Sequence, residues 1–149
     1  SREYQYFFAK EKPPFYLTDY VTYDTLLHCD VDLSTQLCQL FIGKHEFSRF
    51  RSLGSTETSL TKEVFDMRIE AISHQNFILG ETNQTIYGLT IVANAFLYRM
   101  VRHITGACFK VLKNPNEFKQ LKSYFFKESQ EFKYQVAPAK GLFLTKVNY

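Results

Sequence analysis

The stretch from Phe96 to Leu112 constrains the fold most, because it predicts a helix on which one charged residue fits neither face. Apolar residues recur in it at spacings of three and four, which is typical of a helix packed against a core. This apolar stripe consists of Leu97, Met100, Val101, Ile104, Ala107, Cys108 and Val111. Arg99, His103 and Lys110 cluster on a second face, which we interpret as solvated.

Arg102 belongs to neither face. At 3.6 residues per turn it points the same way as Tyr98, Thr105 and Phe109. A guanidinium sheltered by rings needs a carboxylate or a phosphate, because breaking a buried ion pair costs about 3–5 kcal/mol. Alternatively, its stem lies along the rings while its head reaches water, as in most surface arginines. The helical pattern alone leaves both interpretations open.

The remaining pattern predicts an α+β domain. Period-two alternation predicts strands at residues 3–9, 64–71, 77–79, 86–93 and 141–149. The inner face of the second of these is predicted to carry Phe65, Met67, Ile69 and Ala71. Two more helices are predicted, one capped by Asp32 and ended by Gly43, the other beginning at Asn114 with Pro115 in its first turn. We therefore expect residues 1–149 to form a single domain, with a mixed, mainly antiparallel sheet and helices packed on one face.

Composition argues against several classes of protein. Hydrophobic residues make up 45% of the chain and charged residues 22%, as in globular domains, and no apolar run is long enough for a membrane span. Cys29, Cys38 and Cys108 lack metal-like spacing and the four histidines are scattered, so neither a disulfide framework nor a metal site is predicted. The odd cysteine count and the lack of a leader favour a cytoplasmic location. The chain opens inside a predicted strand, which suggests a fragment.

Two groups of residues keep an RNA partner in consideration, although a net charge of +3 is mild for a nucleic-acid binder. Tyr4 and Tyr6 share one side of the first predicted strand, where they either pack as core and rim or stack on a base. Arg49, Arg51 and Lys62 flank a Ser/Thr-rich loop, where they either contact phosphates or are simply solvated. No Gly-rich phosphate loop or nucleophile elbow is present, so the chain by itself holds no complete reaction centre.

Four segments, in order along the chain, match one set of family motifs. Residues 94–106, Asn-Ala-Phe-Leu-Tyr-Arg-Met-Val-Arg-His-Ile-Thr-Gly, and 137–149, Ala-Pro-Ala-Lys-Gly-Leu-Phe-Leu-Thr-Lys-Val-Asn-Tyr, closely resemble the two most specific signatures of the tRNA pseudouridine synthase A (TruA) family. Residues 2–6, Arg-Glu-Tyr-Gln-Tyr, are similar to its Arg-x-Tyr-x-Tyr strand. Residues 43–51, Gly-Lys-His-Glu-Phe-Ser-Arg-Phe-Arg, are similar to its Gly-x-His-Asp-Phe-x-x-Phe-Arg segment.

The resemblance implies the C-terminal half of an enzyme that isomerises uridine to pseudouridine in the tRNA anticodon stem-loop, without metal or organic cofactor. It implies a pseudouridine synthase C-terminal domain, which is ferredoxin- or RRM-like. By motif position, Arg102 would pair with the catalytic aspartate, Tyr4 would lie beside the target base, and Leu142 would form the apolar wall of the pocket. The family carries that aspartate in a Gly-Arg-Thr-Asp motif that these 149 residues lack. We therefore expect the missing N-terminal half to be a partner and the isolated chain to be inactive.

Some features depart from the family pattern, and other functions stay possible. His103 stands where the family has Asn, Lys62 stands where Arg is common, and segment 74–85 is longer than usual. Bacterial members are usually homodimers, which the sequence does not test. The main alternative is a stand-alone, non-catalytic RNA-binding module derived from the same fold. A ferredoxin-like domain with no RNA role ranks last.

Overall fold

The computed structural model describes residues 1–54, 56–72 and 75–149. In chain order its strands and α-helices are β1 (Arg2–Ala9), β2 (Thr22–Tyr23), α1 (Val31–Phe41), β3 (Gly43–Glu46), β4 (Thr61–Ala71), β5 (Gln75–Asn76), β6 (Gly80–Glu81), β7 (Tyr87–Ala93), α2 (Met100–Lys113), α3 (Phe118–Phe125) and β8 (Leu142–Val147). Short 3-10 turns occur at Phe15–Leu17, Pro115–Glu117 and Ala139–Gly141.

Six strands form the main sheet, in the order β2-β1-β7-β4-β3, with β8 also paired to β1. The β1–β2 pair is parallel, whereas the pairs of β1 with β7 and β8, of β4 with β7 and of β3 with β4 are antiparallel. Strands β5 and β6 form a separate hairpin. The predicted α+β class and the mixed, mainly antiparallel sheet are therefore confirmed.

The three α-helices pack on one face of this sheet, where the main core lies. That core includes Tyr6, Phe8, Met67, Leu89 and Ile91 from the sheet and Leu37, Phe41, Ile104, Val111, Leu121 and Phe125 from the helices. Burying one such side chain stabilises the fold by roughly 1.5–3 kcal/mol. A smaller core of Phe7, Ala9, Leu17, Val21, Leu79 and Ile86 lies apart from it. Alternation along β1 separates the two cores, because neighbouring side chains in a strand point to opposite faces.

Three predicted details of the strands are wrong. Residues 77–79 form the turn of the β5–β6 hairpin rather than a strand, and the side chain of Asn76 accepts the amide of Ile78 at 2.8 Å and that of Leu79 at 3.0 Å. The register of β4 shifts between Val64 and Asp66, which leaves Phe65 50% exposed instead of facing the core. The closing strand is shorter than predicted and ends at Val147.

Two predicted helix starts are also wrong. The cap of α1 is Asp30 rather than Asp32, and its carboxylate accepts the amide of Leu33 at 3.0 Å. Helix α2 starts at Met100, because Arg99 has a left-handed backbone with φ of 60° that cannot continue a helix. His74 lies outside the described residues.

The first residue of the chain and its penultimate residue are hydrogen-bonded neighbours. The terminal amine of Ser1 donates to the carbonyl oxygen of Asn148 at 2.8 Å, and the amide of Asn148 donates to the carbonyl oxygen of Ser1 at 2.8 Å. Both ends therefore leave the sheet at one corner, beside β1 and β8. Among the described residues, no helix combines the length and the apolar character that crossing a bilayer requires.

Candidate active site

Arg102 lies in the first turn of α2, half-buried, and both its backbone and its side chain are tied to Ala137. Its Nε donates to the carbonyl oxygen of Ala137 at 2.8 Å. The amide of Ala137 in turn donates to the carbonyl oxygen of Arg102 at 3.1 Å. These two hydrogen bonds fix the direction in which the guanidinium leaves the helix.

Two glycines let the segment before β8 approach closely enough to form these bonds. A Cβ on Gly106 would lie 1.9 Å from the carbonyl oxygen of Gln135, and a Cβ on Gly141 would lie 2.8 Å from Cζ of Tyr6. Both distances are far below ordinary van der Waals contact, so any larger residue would displace the segment. Each glycine belongs to one of the two most specific motifs, which gives those motif positions a physical role.

Tyr6 holds the same segment from the side of the sheet. Its ring is fully buried and packs edge-on against Phe109, with ring centroids 5.8 Å apart. Its hydroxyl donates to the carbonyl oxygen of Pro138 at 2.6 Å. Burial raises the pKa of Tyr6 to about 12, and the positive charge of Arg102 opposes that rise. Tyr6 is therefore a neutral hydrogen-bond donor at neutral pH.

Tyr4 and Leu142 lie on the same sheet face as Tyr6. Residues two apart in a strand share a face, which places Tyr4 beside Tyr6, and Leu142 is the register partner of Tyr6 on β8. Both are half-buried, and Tyr4 packs edge-to-face against Phe96 with ring centroids 5.0 Å apart. The two side chains thus border the corner of the sheet at which Tyr6 and Arg102 approach each other.

The predicted carboxylate partner of Arg102 does not come from the described part of the chain. Six ion pairs occur there, and none of them includes Arg102. Its two terminal nitrogens likewise have no hydrogen-bond acceptor among the described residues. A half-buried guanidinium that is held at Nε and open at both Nη atoms is suited to bind a carboxylate or a phosphate through its planar fork.

Comparison with known proteins identifies the family to which this chain belongs. The profile described as tRNA pseudouridine synthase matches residues 37–149. The chain belongs to the tRNA pseudouridine synthase family. The tRNA pseudouridine synthase A of Clostridium kluyveri is 31% identical over 150 residues, which cover 100% of this chain and 57% of that protein. The tRNA pseudouridine synthase A of Thermoanaerobacter sp. strain X514 is 34% identical over 112 residues, which cover 72% of this chain and 40% of that protein.

The matched region is only part of each relative. A third relative, the tRNA pseudouridine synthase A of Acetivibrio thermocellus, is 26% identical over 149 residues, again 100% of this chain and 57% of its own length. The chain spans about half the length of the curated relatives it matches.

For this member of the tRNA pseudouridine synthase family, Arg49 is a structural side chain rather than an open cation. Its Nη1 donates to the carbonyl oxygens of Tyr124, at 3.1 Å, and Ser129, while its Nη2 donates to Oε1 of Gln130 at 3.0 Å. Its guanidinium carbon also lies 4.8 Å from the centre of the Tyr124 ring. Its predicted contact with phosphate stays untested, but the fork is already occupied inside the protein.

Lys62 and Arg51, the other two basic residues predicted to contact RNA, differ in whether an ion pair compensates their charge. Lys62 is 6% exposed and its Nζ lies 3.1 Å from Oε1 of Glu57, so its charge is already compensated. Arg51 is half-buried and forms no ion pair with any described residue. Of the three residues predicted to contact RNA, Arg51 is therefore the one best placed to offer its charge.

His103 is not on a solvated face, and the prediction that it would be is wrong. Its Nε2 lies 3.0 Å from Oγ of Ser52 and its Nδ1 lies 2.7 Å from the hydroxyl of Tyr134. Burial lowers the pKa of His103, and the charges of Arg102 and Arg99 lower it further. The helical wheel missed this role because both partners lie far away in the sequence.

A cavity of about 480 Å³ lies beside the segment that holds Arg102. Its lining includes Lys110, Lys113, Lys133 and Asp24. Lys113 is paired with Asp24 at 3.0 Å, which reduces the positive charge that the cavity offers to an anion. Among the described residues, no group of three or more His, Cys, Asp or Glu side chains is placed to hold a metal ion.

Proposed function

We propose that the protein containing this chain isomerises uridine to pseudouridine in the anticodon stem-loop of tRNA. In this proposal the chain supplies Arg102, Tyr4 and Leu142 to the pocket, and a preceding N-terminal half supplies the catalytic aspartate. The observation that supports it most is the state of Arg102, which is oriented by Ala137 and has no carboxylate partner among the described residues. Membership of the tRNA pseudouridine synthase family supports the reaction type.

Each of the three residues has a distinct physical role in the proposal. Arg102 pairs with the aspartate through its terminal nitrogens, which keeps that carboxylate ionised and aimed at the sugar of the target uridine. Tyr4 contacts the uracil ring, and Leu142 provides an apolar wall that excludes water. The bond between C1′ and N1 breaks, the base turns, and a bond between C1′ and C5 forms while C5 loses a proton and N1 gains one. The reaction is an isomerisation, so it needs no external oxidant or reductant.

Arg51 is the phosphate contact that this proposal favours. It lies one residue before Ser52, whose backbone amide donates to the carbonyl oxygen of Tyr98 at 3.0 Å, so its segment is fixed to the turn that begins α2. A phosphate held by Arg51 would thereby fix the position of the RNA relative to Arg102. Arg51→Ala should weaken RNA binding several-fold and reduce the slope of log affinity against log salt by about 1.

The test is pseudouridine formation by the full-length protein on an anticodon stem-loop RNA. The wild-type protein should convert uridine, Arg102→Ala should abolish conversion while RNA affinity stays within about twofold, and the separate 149-residue chain should be inactive. Full activity of Arg102→Ala would discard the role of that residue. Salt-dependent tRNA binding without any conversion by the full-length protein would instead support the stand-alone RNA-binding module.

A further inference from the structure

His103 joins the two segments that the proposed function needs to hold together. On one side, the imidazole contacts Ser52, the residue that follows Arg51. On the other side, it contacts Tyr134, which lies three residues before the Ala137 that orients Arg102. These two segments are about 80 residues apart in the chain, and α2 carries His103 between them.

The hydrogen-bond pattern gives the imidazole a defined orientation. The hydroxyl of Tyr134 donates to the carbonyl oxygen of Arg49 at 3.3 Å, so its lone pair faces Nδ1 of His103. Nδ1 then carries the proton and donates to Tyr134, and Nε2 accepts the hydroxyl proton of Ser52. Both imidazole nitrogens and the hydroxyls of Ser52 and Tyr134 have partners, which holds the imidazole in a single orientation.

Packing around Tyr134 makes the contact between His103 and Tyr134 rigid. Its ring stacks with that of Phe50 at a centroid distance of 6.2 Å and lies 5.8 Å from that of Phe132. The ring of His103 meets it nearly at right angles. A displacement of His103 would therefore pass to the segment that leads from Tyr134 to Ala137, and so to the guanidinium of Arg102.

We propose that His103 is a positioning residue with two separable arms, one of which sets the orientation of Arg102 through Tyr134, and the other the position of the Arg51 segment through Ser52. This inference rests on the proposed function. The arm to Tyr134 governs the rate of the chemical step, because it acts on the residue that pairs with the catalytic carboxylate. The arm to Ser52 governs the binding of RNA, because it acts on the segment that offers a phosphate contact.

Single-atom substitutions in the full-length protein separate the two arms. Tyr134→Phe keeps the packed ring and removes only the hydroxyl, and it should lower kcat about three- to tenfold with little change in KM for the RNA. Ser52→Ala should raise KM about three- to tenfold with little change in kcat. Tyr124→Phe is the matched control, because the Tyr124 hydroxyl also donates to the carbonyl oxygen of Arg49, at 3.4 Å, but no hydrogen bond joins it to His103. It should leave both parameters within about twofold of wild type.

Two substitutions of His103 itself provide a crossed test. His103→Asn retains an amide nitrogen near the position of Nδ1 and should keep kcat while raising KM. His103→Gln retains a polar group near the position of Nε2 and should keep KM while lowering kcat. A purely structural role would lower the unfolding midpoint of both variants without this split.

The possible outcomes distinguish the inference from the function on which it rests. If wild-type protein does not convert uridine in the anticodon stem-loop, the proposed function fails. If wild type is active but Tyr134→Phe and Tyr124→Phe have the same kcat, or Ser52→Ala and Tyr134→Phe change the same parameter, the two-arm role of His103 is rejected while the proposed function stands.

Discussion

Arg49 and Arg102 are two half-buried arginines of this chain with opposite surroundings. The guanidinium of Arg49 donates to three acceptors on or just after α3 and stacks on the ring of Tyr124. Among the residues that the structure describes, the guanidinium of Arg102 donates to one acceptor, and only through Nε. Both side chains are held in place, but only that of Arg102 keeps its fork open.

This difference offers a way to tell an arginine whose nitrogens are used within the fold from one whose nitrogens are open to a ligand. Burial is similar at both sites, so burial does not discriminate. The number of guanidinium nitrogens without an acceptor does discriminate. A guanidinium that already donates to oxygens of the protein would have to break those hydrogen bonds before binding a substrate. The same substitution at the two positions should therefore change different properties.

The largest effect is expected from Arg102→Lys. Lysine keeps the positive charge but loses both Nε and the planar fork, so neither the bond to Ala137 nor bidentate pairing with a carboxylate survives. We expect kcat/KM for pseudouridine formation by the full-length protein to fall about 100- to 1000-fold. The measurement is single-turnover conversion, and a loss smaller than tenfold would place Arg102 with the structural arginines.

The next largest effect is expected from Gly106→Ala. The added Cβ would overlap the carbonyl oxygen of Gln135 at 1.9 Å, so the segment that holds Arg102 must move. Alanine favours a helix by about 1 kcal/mol over glycine, yet the overlap should still lower the free energy of unfolding by about 2–3 kcal/mol net.

Urea unfolding of the 149-residue chain measures this change, and Gly54→Ala provides a control. Gly54 has a φ of 105°, but among the described residues, its chain neighbours aside, no atom lies within 4 Å of the place that an added Cβ would take, so backbone strain of about 1 kcal/mol is the main cost there. Equal losses at the two glycines would mean that the close approach of the segment contributes nothing.

Arg49→Lys should have a smaller effect, and on stability rather than on the chemical step. It removes the hydrogen bonds to Tyr124, Ser129 and Gln130, only part of which an ammonium can replace. We expect the free energy of unfolding to fall by about 1–2 kcal/mol and kcat to stay within about threefold. Arg51→Lys is the control and should unfold like wild type. If Arg49→Lys unfolded like Arg51→Lys while its RNA affinity collapsed, Arg49 would be a phosphate contact instead.

The smallest effect concerns pH and His103. Burial and the neighbouring charges of Arg102 and Arg99 lower the pKa of His103, so the unfolded chain binds the proton more readily than the folded one. The stability that depends on the neutral imidazole is therefore complete above the unfolded pKa of about 6.5 and is lost as pH falls below it. Replacing His103 by Asn should flatten this decline below about pH 6.5 in urea unfolding. An unchanged slope would mean that His103 does not titrate differently in the folded state.

Much of the fold was predictable because it depends on local periodicity. The alternation in β1 correctly places Tyr6 and Phe8 in the main core, and the spacing of three and four in α2 correctly identifies its buried stripe. The bulge at Phe65 and the start of α2 at Met100 were not predictable. Each depends on the backbone conformation of one or two residues, which a hydrophobic pattern does not encode.

The candidate site also has features that the sequence predicted and features that it could not predict. Motif resemblance predicted Arg102, Tyr4 and Leu142 as site residues. The structure places Leu142 opposite Tyr6 and ties Arg102 to Ala137, while the shared role of the three side chains stays a prediction. Motif resemblance could not predict that residues of the 124–130 region would accept hydrogen bonds from the Arg49 guanidinium. Nor could it predict that His103 would bridge two distant segments. Both depend on which parts of the chain the fold brings together, and side-chain chemistry alone does not reveal those neighbours.

The meeting of Ser1 and Asn148 at one corner affects how the separate 149-residue chain should be tagged. Tyr4 is only three residues along β1 from Ser1, a span of about 10 Å, so an affinity tag on either end of the separate 149-residue chain would lie beside the proposed pocket. The tip of the β5–β6 hairpin is the better attachment point. Phe77 is fully exposed there, and neither Arg102 nor Leu142 belongs to that hairpin.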